Sequence, residues 1–271
     1  MNVLILTDFS EVSENAGKYA VDFFRDKPAS FYLLNIHDFN FSRSASRKLE
    51  NELIQTLEKL QKAVGDLQAY TSNLAHEFAT ILSSDNLINA VRKALDEKKI
   101  DMIFIGAASQ AGHQHPLLGD HAYEVIRKIR CNIMAVPGDR SFSELKRIVL
   151  PIDYSTISPE RAFQQMERAQ FIDDGRLTVI ELDEDHHVNT TSEMAWPSLP
   201  GTESIQATAA STIEKTKIFS EDLLMEIQDK FDMIVILGKN LGVCDHFLHA
   251  NYGICATVHN SLPIMVIHDR E

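Results

Sequence analysis

The chain is poor in cysteine, in tryptophan and in positive charge. Its three cysteines, Cys131, Cys244 and Cys255, build no disulfide framework. That scarcity fits a reducing cytoplasm. No apolar run approaches the roughly 20 residues needed to cross a bilayer. The N-terminus runs directly into strand-like residues, without the basic region and cleavage site of a secretory leader. The expectation is a cytoplasmic protein. Lysine and arginine number 26 against 39 acidic residues, for a net charge of −13. Nonspecific attachment to nucleic acid or to an anionic membrane needs basic surface, so the balance argues against both partners. A local nucleotide site held by backbone N–H groups is still allowed. No nucleophile elbow, metalloprotease helix or P-loop lysine is present, and no catalytic residue is assigned.

What the chain does have is repetition. Val3–Ser10 reads VLILTDFS and Ile148–Ser155 reads IVLPIDYS. Asp101–Gly106 (DMIFIG) returns as Asp232–Gly238 (DMIVILG), and Cys131–Pro137 (CNIMAVP) as Leu262–His268 (LPIMVIH). Matched pieces in one order mean a duplicated unit. Asp8 and Asp153 are 145 positions apart, but Gly106 and Gly238 only 132, so the second copy is shortened between its first and fourth strands. The expected domains are 1–137 and 146–271, joined by a linker at 138–145.

Apolar periodicity fills in the elements. Val3–Leu6 is a continuous apolar run, the mark of a strand buried on both faces. Ser10–Arg25 has helical spacing, with Ser10 or Ser13 as cap. Strands at Phe31–Ile36, Phe78–Leu82, Met102–Ile105 and Ile133–Val136 alternate with helices at Ser42–Ala69, around Leu87–Leu95 (opened by Ser84 or Asp85) and near Gly119–Arg130. The second copy repeats the alternation from Ile148–Ile152. Ser158-Pro159-Glu160 is its strongest helix start, and Ile264–Ile267 closes its sheet. Asp183–Gly201 breaks the pattern and reads as an irregular loop holding the only tryptophan, Trp196. A helix at Ser204–Glu214 and a strand at Lys217–Phe219 should follow. Such alternation implies an α/β fold with a parallel sheet and helices on both faces.

At Asp8, Gly106 and Gly119 the residues resemble a known family, the universal stress proteins in their tandem two-domain form. The marks are the first strand ending in aspartate, DMIFIG, the loop ending in LLGD before a helix, and CNIMAVP. The resemblance implies two open five-stranded parallel sheets of the adenine nucleotide alpha hydrolase-like type. It implies that the last strands, Ile133–Val136 and Ile264–Ile267, pair within the chain as a pseudo-dimer, and it leaves room for a homodimer. It also implies ATP or AMP held by a loop of pattern G-x2-G-x9-G-[S/T]. Thr7 and Asp8 would contact the nucleoside, with Ile36 and His37 near the base. Physically, glycines after the fourth strand let backbone N–H groups approach phosphate, and the next helix N-terminus adds donors.

The first copy keeps that spacing and loses part of its chemistry. Gly106 and Gly119 are in register, but Ser109 replaces the middle glycine and Asp120 replaces the final hydroxyl. A carboxylate at about 4 Å from a phosphate charge costs about 4 kcal/mol at an effective dielectric near 20. Two readings stand: a self-capped helix without nucleotide, or a weakened ATP or AMP site with at most slow hydrolysis. The second copy keeps Asp153, Gly238 and Lys239, but Leu241, Asn251 and Tyr252 fill the other motif positions. His113, His115, His246 and His249 are weak metal candidates whose spacing matches no closed site. The expectation is a stress-response binding or regulatory module. An alternative is a scaffold that uses the second copy and its 183–201 loop to hold a protein or apolar small molecule.

Overall fold

The computed structural model describes residues 1–37, 46–107, 120–168, 176–182, 188–189, 221–242 and 261–269. The chain divides into two compact units. The first comprises Met1–Ala107 and Glu124–Phe142, and the rest of the chain forms the second.

In the first half of the chain β1 (Asn2–Leu6), α1 (Glu11–Phe23), β2 (Ala29–Ile36), α2 (Ser46–Tyr70), β3 (His76–Ser83), α3 (Leu87–Lys98), β4 (Met102–Ala107), α4 (Asp120–Lys128, of which Glu124–Lys128 belong to the first unit) and β5 (Asn132–Pro137) alternate strictly. The strand order is β3-β2-β1-β4-β5 and every pair is parallel. The reversal of order falls between β1 and β4. Val3, Leu4, Ile5 and Met102–Ile105 are buried, as apolar runs in a sheet covered on both faces must be. Tyr19, Phe24, Phe31 and Phe104 form the centre of the core, with edge-to-face contacts such as Phe24–Phe104 at 6.1 Å. Burying each such ring contributes about 1.5–3 kcal/mol.

Local rules account for the helix ends. Ser10 is extended and accepts from the Ser13 amide at 3.2 Å, so Ser10 and not Ser13 caps α1. Glu11 and Glu14 in the first turn complement the helix dipole. The start of α3 corrects the expectation at Ser84 or Asp85. Asn86 is the cap, its Oδ1 accepting from the Asn89 amide at 3.0 Å. Asp85 is drawn instead into a turn, its amide donating to Ser83 Oγ at 3.1 Å.

The second unit contains β6 (Arg147–Ile152), α5 (Pro159–Arg168), β7 (Arg176–Leu182), β8 (Val188–Asn189), α6 (Glu221–Lys230), β9 (Met233–Leu237) and β10 (Ile264–Ile267). Its strand order is β10-β9-β6-β7-β8. Four strands are parallel, whereas β8 runs antiparallel to β7, pairing Leu182 with Val188. The irregular loop expected from residue 183 is therefore corrected at 188–189, where the chain doubles back and satisfies the outer edge of β7. The expected helix at 204–214 and strand at 217–219 lie outside the described residues. Among the described residues no helix is long and apolar enough to cross a membrane.

The repeated aspartates before the fourth strands have one structural purpose. Asn2 N–H donates to Asp101 Oδ2 at 2.8 Å, and Asp101 N–H returns a bond to the Asn2 carbonyl at 2.7 Å. Arg147 and Asp232 make the same exchange at 2.8 and 2.7 Å. Each pair registers the first strand of its unit against the fourth. Cys131, at the helix–strand junction, is buried, with Sγ 3.6 Å from the Asp101 carbonyl.

Candidate functional site

The ends of β1 and β4 meet at the reversal of strand order, where open parallel sheets offer a crevice. Thr7 remains tied to the sheet. Its amide donates to the Leu34 carbonyl at 2.9 Å, and the Thr7 carbonyl accepts from Asn35 Nδ2 at 2.8 Å. Thr7 Oγ1 accepts from the Phe9 amide at 3.1 Å and lies 3.2 Å from Ser13 Oγ. Asp8 Oδ1 accepts from the Ser10 amide at 3.0 Å and the Ser10 hydroxyl at 2.5 Å. Between these anchors Phe9 is held at φ 65°, a region that non-glycine residues rarely enter.

Asp8 is exposed. Partial burial pushes its carboxyl up, but the Ser10 hydroxyl and amide and a bond from the Ser13 side chain outweigh that. The group sits below the ordinary carboxylate range and is an acceptor throughout the physiological range.

Ile36 ends β2, and His37 follows it with its amide donating to the Ser83 carbonyl at 2.9 Å. The Thr56 hydroxyl donates to the Glu52 carbonyl at 2.8 Å. Its oxygen is therefore left to accept from His37 Nδ1, 3.2 Å away. Thr7, Asp8, Ile36 and His37 thus gather at the carboxyl ends of neighbouring strands β1 and β2.

Gly106 has a reason to be glycine that needs no phosphate. A Cβ there would lie 2.8 Å from Val12 Cγ1 and 3.0 Å from the Val12 carbonyl carbon and oxygen. The first turn of α1 lies directly against the end of β4. Asp120 is exposed and opens α4 as its first helical residue, inside the first turn. A carboxylate there favours the helix dipole but opposes an incoming anion. Ser109, Gly119, His113, His115, His246 and His249 lie outside the described residues. Among the described residues no group of three or more histidine, cysteine, aspartate or glutamate side chains could hold a metal ion.

The second unit repeats the strand-end turn. Asp153 accepts from the Ser155 amide at 2.8 Å and the Ser155 hydroxyl at 2.7 Å, as Asp8 does from Ser10. Unlike Asp8, it is buried. A single 3₁₀ turn, Gly238–Asn240, follows β9. Asn240 is fully buried there. Its Nδ2 donates to the Asp153 carbonyl at 3.1 Å and to Thr156 Oγ1, and its Oδ1 accepts from the Asp153 amide at 3.4 Å. A Cβ on Gly238 would lie 2.5 Å from His268 Nδ1. Lys239 points its polarity to an exposed position. Among the described residues, Asn240 thus lies between the ends of β6 and β9, bonded to the Asp153 main chain and to Thr156.

Sequence reasoning missed Asn240 and Val12. Asn240 is foreshadowed by register, since it stands where the first copy has Ala108. Nothing in the sequence singles out Val12, which is one of several apolar positions on α1.

The model of the universal stress protein family matches residues 1–137, just over half of the chain, and the chain belongs to that family. It is similar to a universal stress protein of Methanocaldococcus jannaschii, with 25% identity over 138 residues, covering 49% of this chain and 80% of the relative. The crystal structure of a universal stress protein from Archaeoglobus fulgidus superposes with a TM-score of 0.69 at 16% identity, covering 98% of both chains. That likeness carries the fold through the second unit, beyond the family match.

Proposed function

We propose that this chain is a cytoplasmic binding or regulatory module of the stress response, whose second unit has given up nucleotide binding. The observation that carries this reading is Asn240, whose buried carboxamide occupies the end of the β6–β9 crevice and bonds the Asp153 main chain. A phosphate in this crevice would compete with Asn240 for that space and for the Asp153 amide. In the first unit Asp120 supports the same reading, because a carboxylate stands where the motif calls for a hydroxyl.

A second reading has its own support. Asp8 is exposed and ionised, and the first unit carries alanine, not asparagine, two residues after its motif glycine. In this reading unit one holds AMP or ATP weakly, with hydrolysis slow at most.

Purified protein should release no nucleotide on denaturation, by ultraviolet spectrum and mass spectrometry. Calorimetric titration with ATP and AMP, with and without Mg²⁺, should give no micromolar binding. A micromolar site abolished by Asp8→Asn would replace the first reading by the second. A site unaffected by that change and abolished by Asn240→Leu would contradict the closure of unit two.

A further inference from the structure

Within the expected linker, 138–145, residues 138–142 are strapped to α1. Asn15 Nδ2 donates to the Pro137 and Arg140 carbonyls, each at 2.9 Å. The Arg140 amide closes the turn between them onto the Pro137 carbonyl at 3.2 Å. The Phe142 ring meets Tyr19 edge-on at 5.3 Å and 82°, and Phe23 at 6.1 Å and 84°. The Arg25 guanidinium lies 6.0 Å from the centre of the same ring. Val12, Asn15, Tyr19 and Phe23 are spaced by three and four residues, so they form one stripe of the helix.

Val12 joins this strap to the crevice. One of its methyls, Cγ2, lies 2.8 Å from where a Cβ of Gly138 would stand, and the other, Cγ1, lies at the same distance from that of Gly106. Interiors packed this closely transmit small displacements because there is no slack to absorb them. Ser10, which holds Asp8, is the cap of the turn that contains Val12.

We propose that residues 138–142 are a latch on α1, and that displacement of the first turn of α1 at Gly106 releases it. The closed latch ties the chain leading out of the first unit to the helix that begins at the crevice. Its release frees that connection. A strap held by neutral hydrogen bonds and one half-buried ring belongs to the low-stability end of a fold, where local opening occurs without global unfolding. The inference goes beyond the functional reading above and stands whether or not a nucleotide binds.

Limited trypsin digestion of the full-length chain tests it, with mass spectrometry following cleavage after Arg140. Cleavage tracks the open population when opening is fast. The native chain should resist at this bond. Asn15→Asp, which loses two neutral hydrogen bonds worth about fivefold each, and Phe142→Ala, which loses the ring contacts, should each be cut at least about tenfold faster. Gly106→Ala should accelerate the same cut from the crevice side and Val12→Ala from the residue that joins crevice and latch, while exposed Ser141→Ala should match the native rate. Circular dichroism melts identify any variant that has unfolded; the latch has two variants of its own, and the coupling is read from Gly106→Ala, which touches only the crevice end, with Val12→Ala at the junction. Native cleavage at the unfolded-chain rate, or native rates in folded Asn15→Asp and Phe142→Ala, would overturn the latch. Acceleration in those two but not in folded Gly106→Ala or Val12→Ala would overturn its coupling to the crevice. Calorimetry with AMP reports on the nucleotide reading separately.

Discussion

Asn240 stands two residues beyond Gly238, and its carboxamide bonds both the amide and the carbonyl of Asp153. One side chain thereby ties the turn after β9 to the end of β6, which is the contact on which the proposed loss of a second site rests. Replacing it with alanine leaves buried main-chain groups of Asp153 without their partner. Such a loss costs about 1–3 kcal/mol. Asn240→Ala should therefore melt lower than the native chain by roughly 2–4 °C for each kcal/mol lost. Coincident melts in a denaturation series would show that Asn240 is not what holds this turn.

Gly238 and His268 form a second contact of the same kind, with only 2.5 Å available between an added Cβ and Nδ1. Overpacking of this sort costs about 1–3 kcal/mol. Gly238→Ala should destabilise the protein in the absence of any nucleotide. His268→Ala should restore much of the loss, giving a coupling energy of about 0.5–3 kcal/mol in a double-mutant cycle. Additive effects would mean that the ring moves aside freely.

Acid should weaken the second unit through Asp232. Partial burial raises its carboxyl, but the Arg147 guanidinium and amide and the Lys146 amide more than offset this and hold it below its ordinary value of 3.8. A group depressed in the folded state stabilises above its unfolded value, and that contribution is lost as pH falls through the folded one. Urea unfolding should thus show stability falling with pH below 3.8, and the slope should flatten in Asp232→Asn. Equal slopes in both proteins would rule out this carboxylate as a source of the acid sensitivity.

Asp120→Ser removes a negative charge from the first turn of α4 and supplies the hydroxyl that the motif lacks. If repulsion of phosphate is what weakens the first unit, affinity for AMP or ATP should rise by at least about tenfold, given interactions of about 4 kcal/mol before screening. Calorimetry on the native and substituted chains measures this directly. No change would remove the electrostatic account of the loop.

Much of the fold was legible because burial on both faces leaves continuous apolar runs, and strands at Val3–Leu6, Met102–Ile105 and Ile148–Ile152 were read from them. Ser10 and Ser158-Pro159 announced two helix starts for equally local reasons. Asn86 was harder, because three polar residues in a row, Ser84, Asp85 and Asn86, all suit a cap, and only the path of the chain selects one. The strand at 188–189 was not legible at all. Two residues carry no period, and their pairing depends on β7 presenting an unsatisfied edge.

The duplication, the α/β alternation and the strand-end aspartates Asp8 and Asp153 are properties of the sequence itself, set by periodicity and by short turns whose partners lie two residues apart. What those aspartates face is a tertiary matter. Asp8 is exposed and Asp153 is buried, although both make the same turn with serine. Around Asp153 the fold brings in Asn240, 87 positions away along the chain, which bonds its main chain. Gly106 and Gly238, read in sequence as room for phosphate, abut Val12 and His268 in space. Spacing along a chain records which atoms could approach a ligand. Only packing decides whether other atoms of the protein already occupy that place.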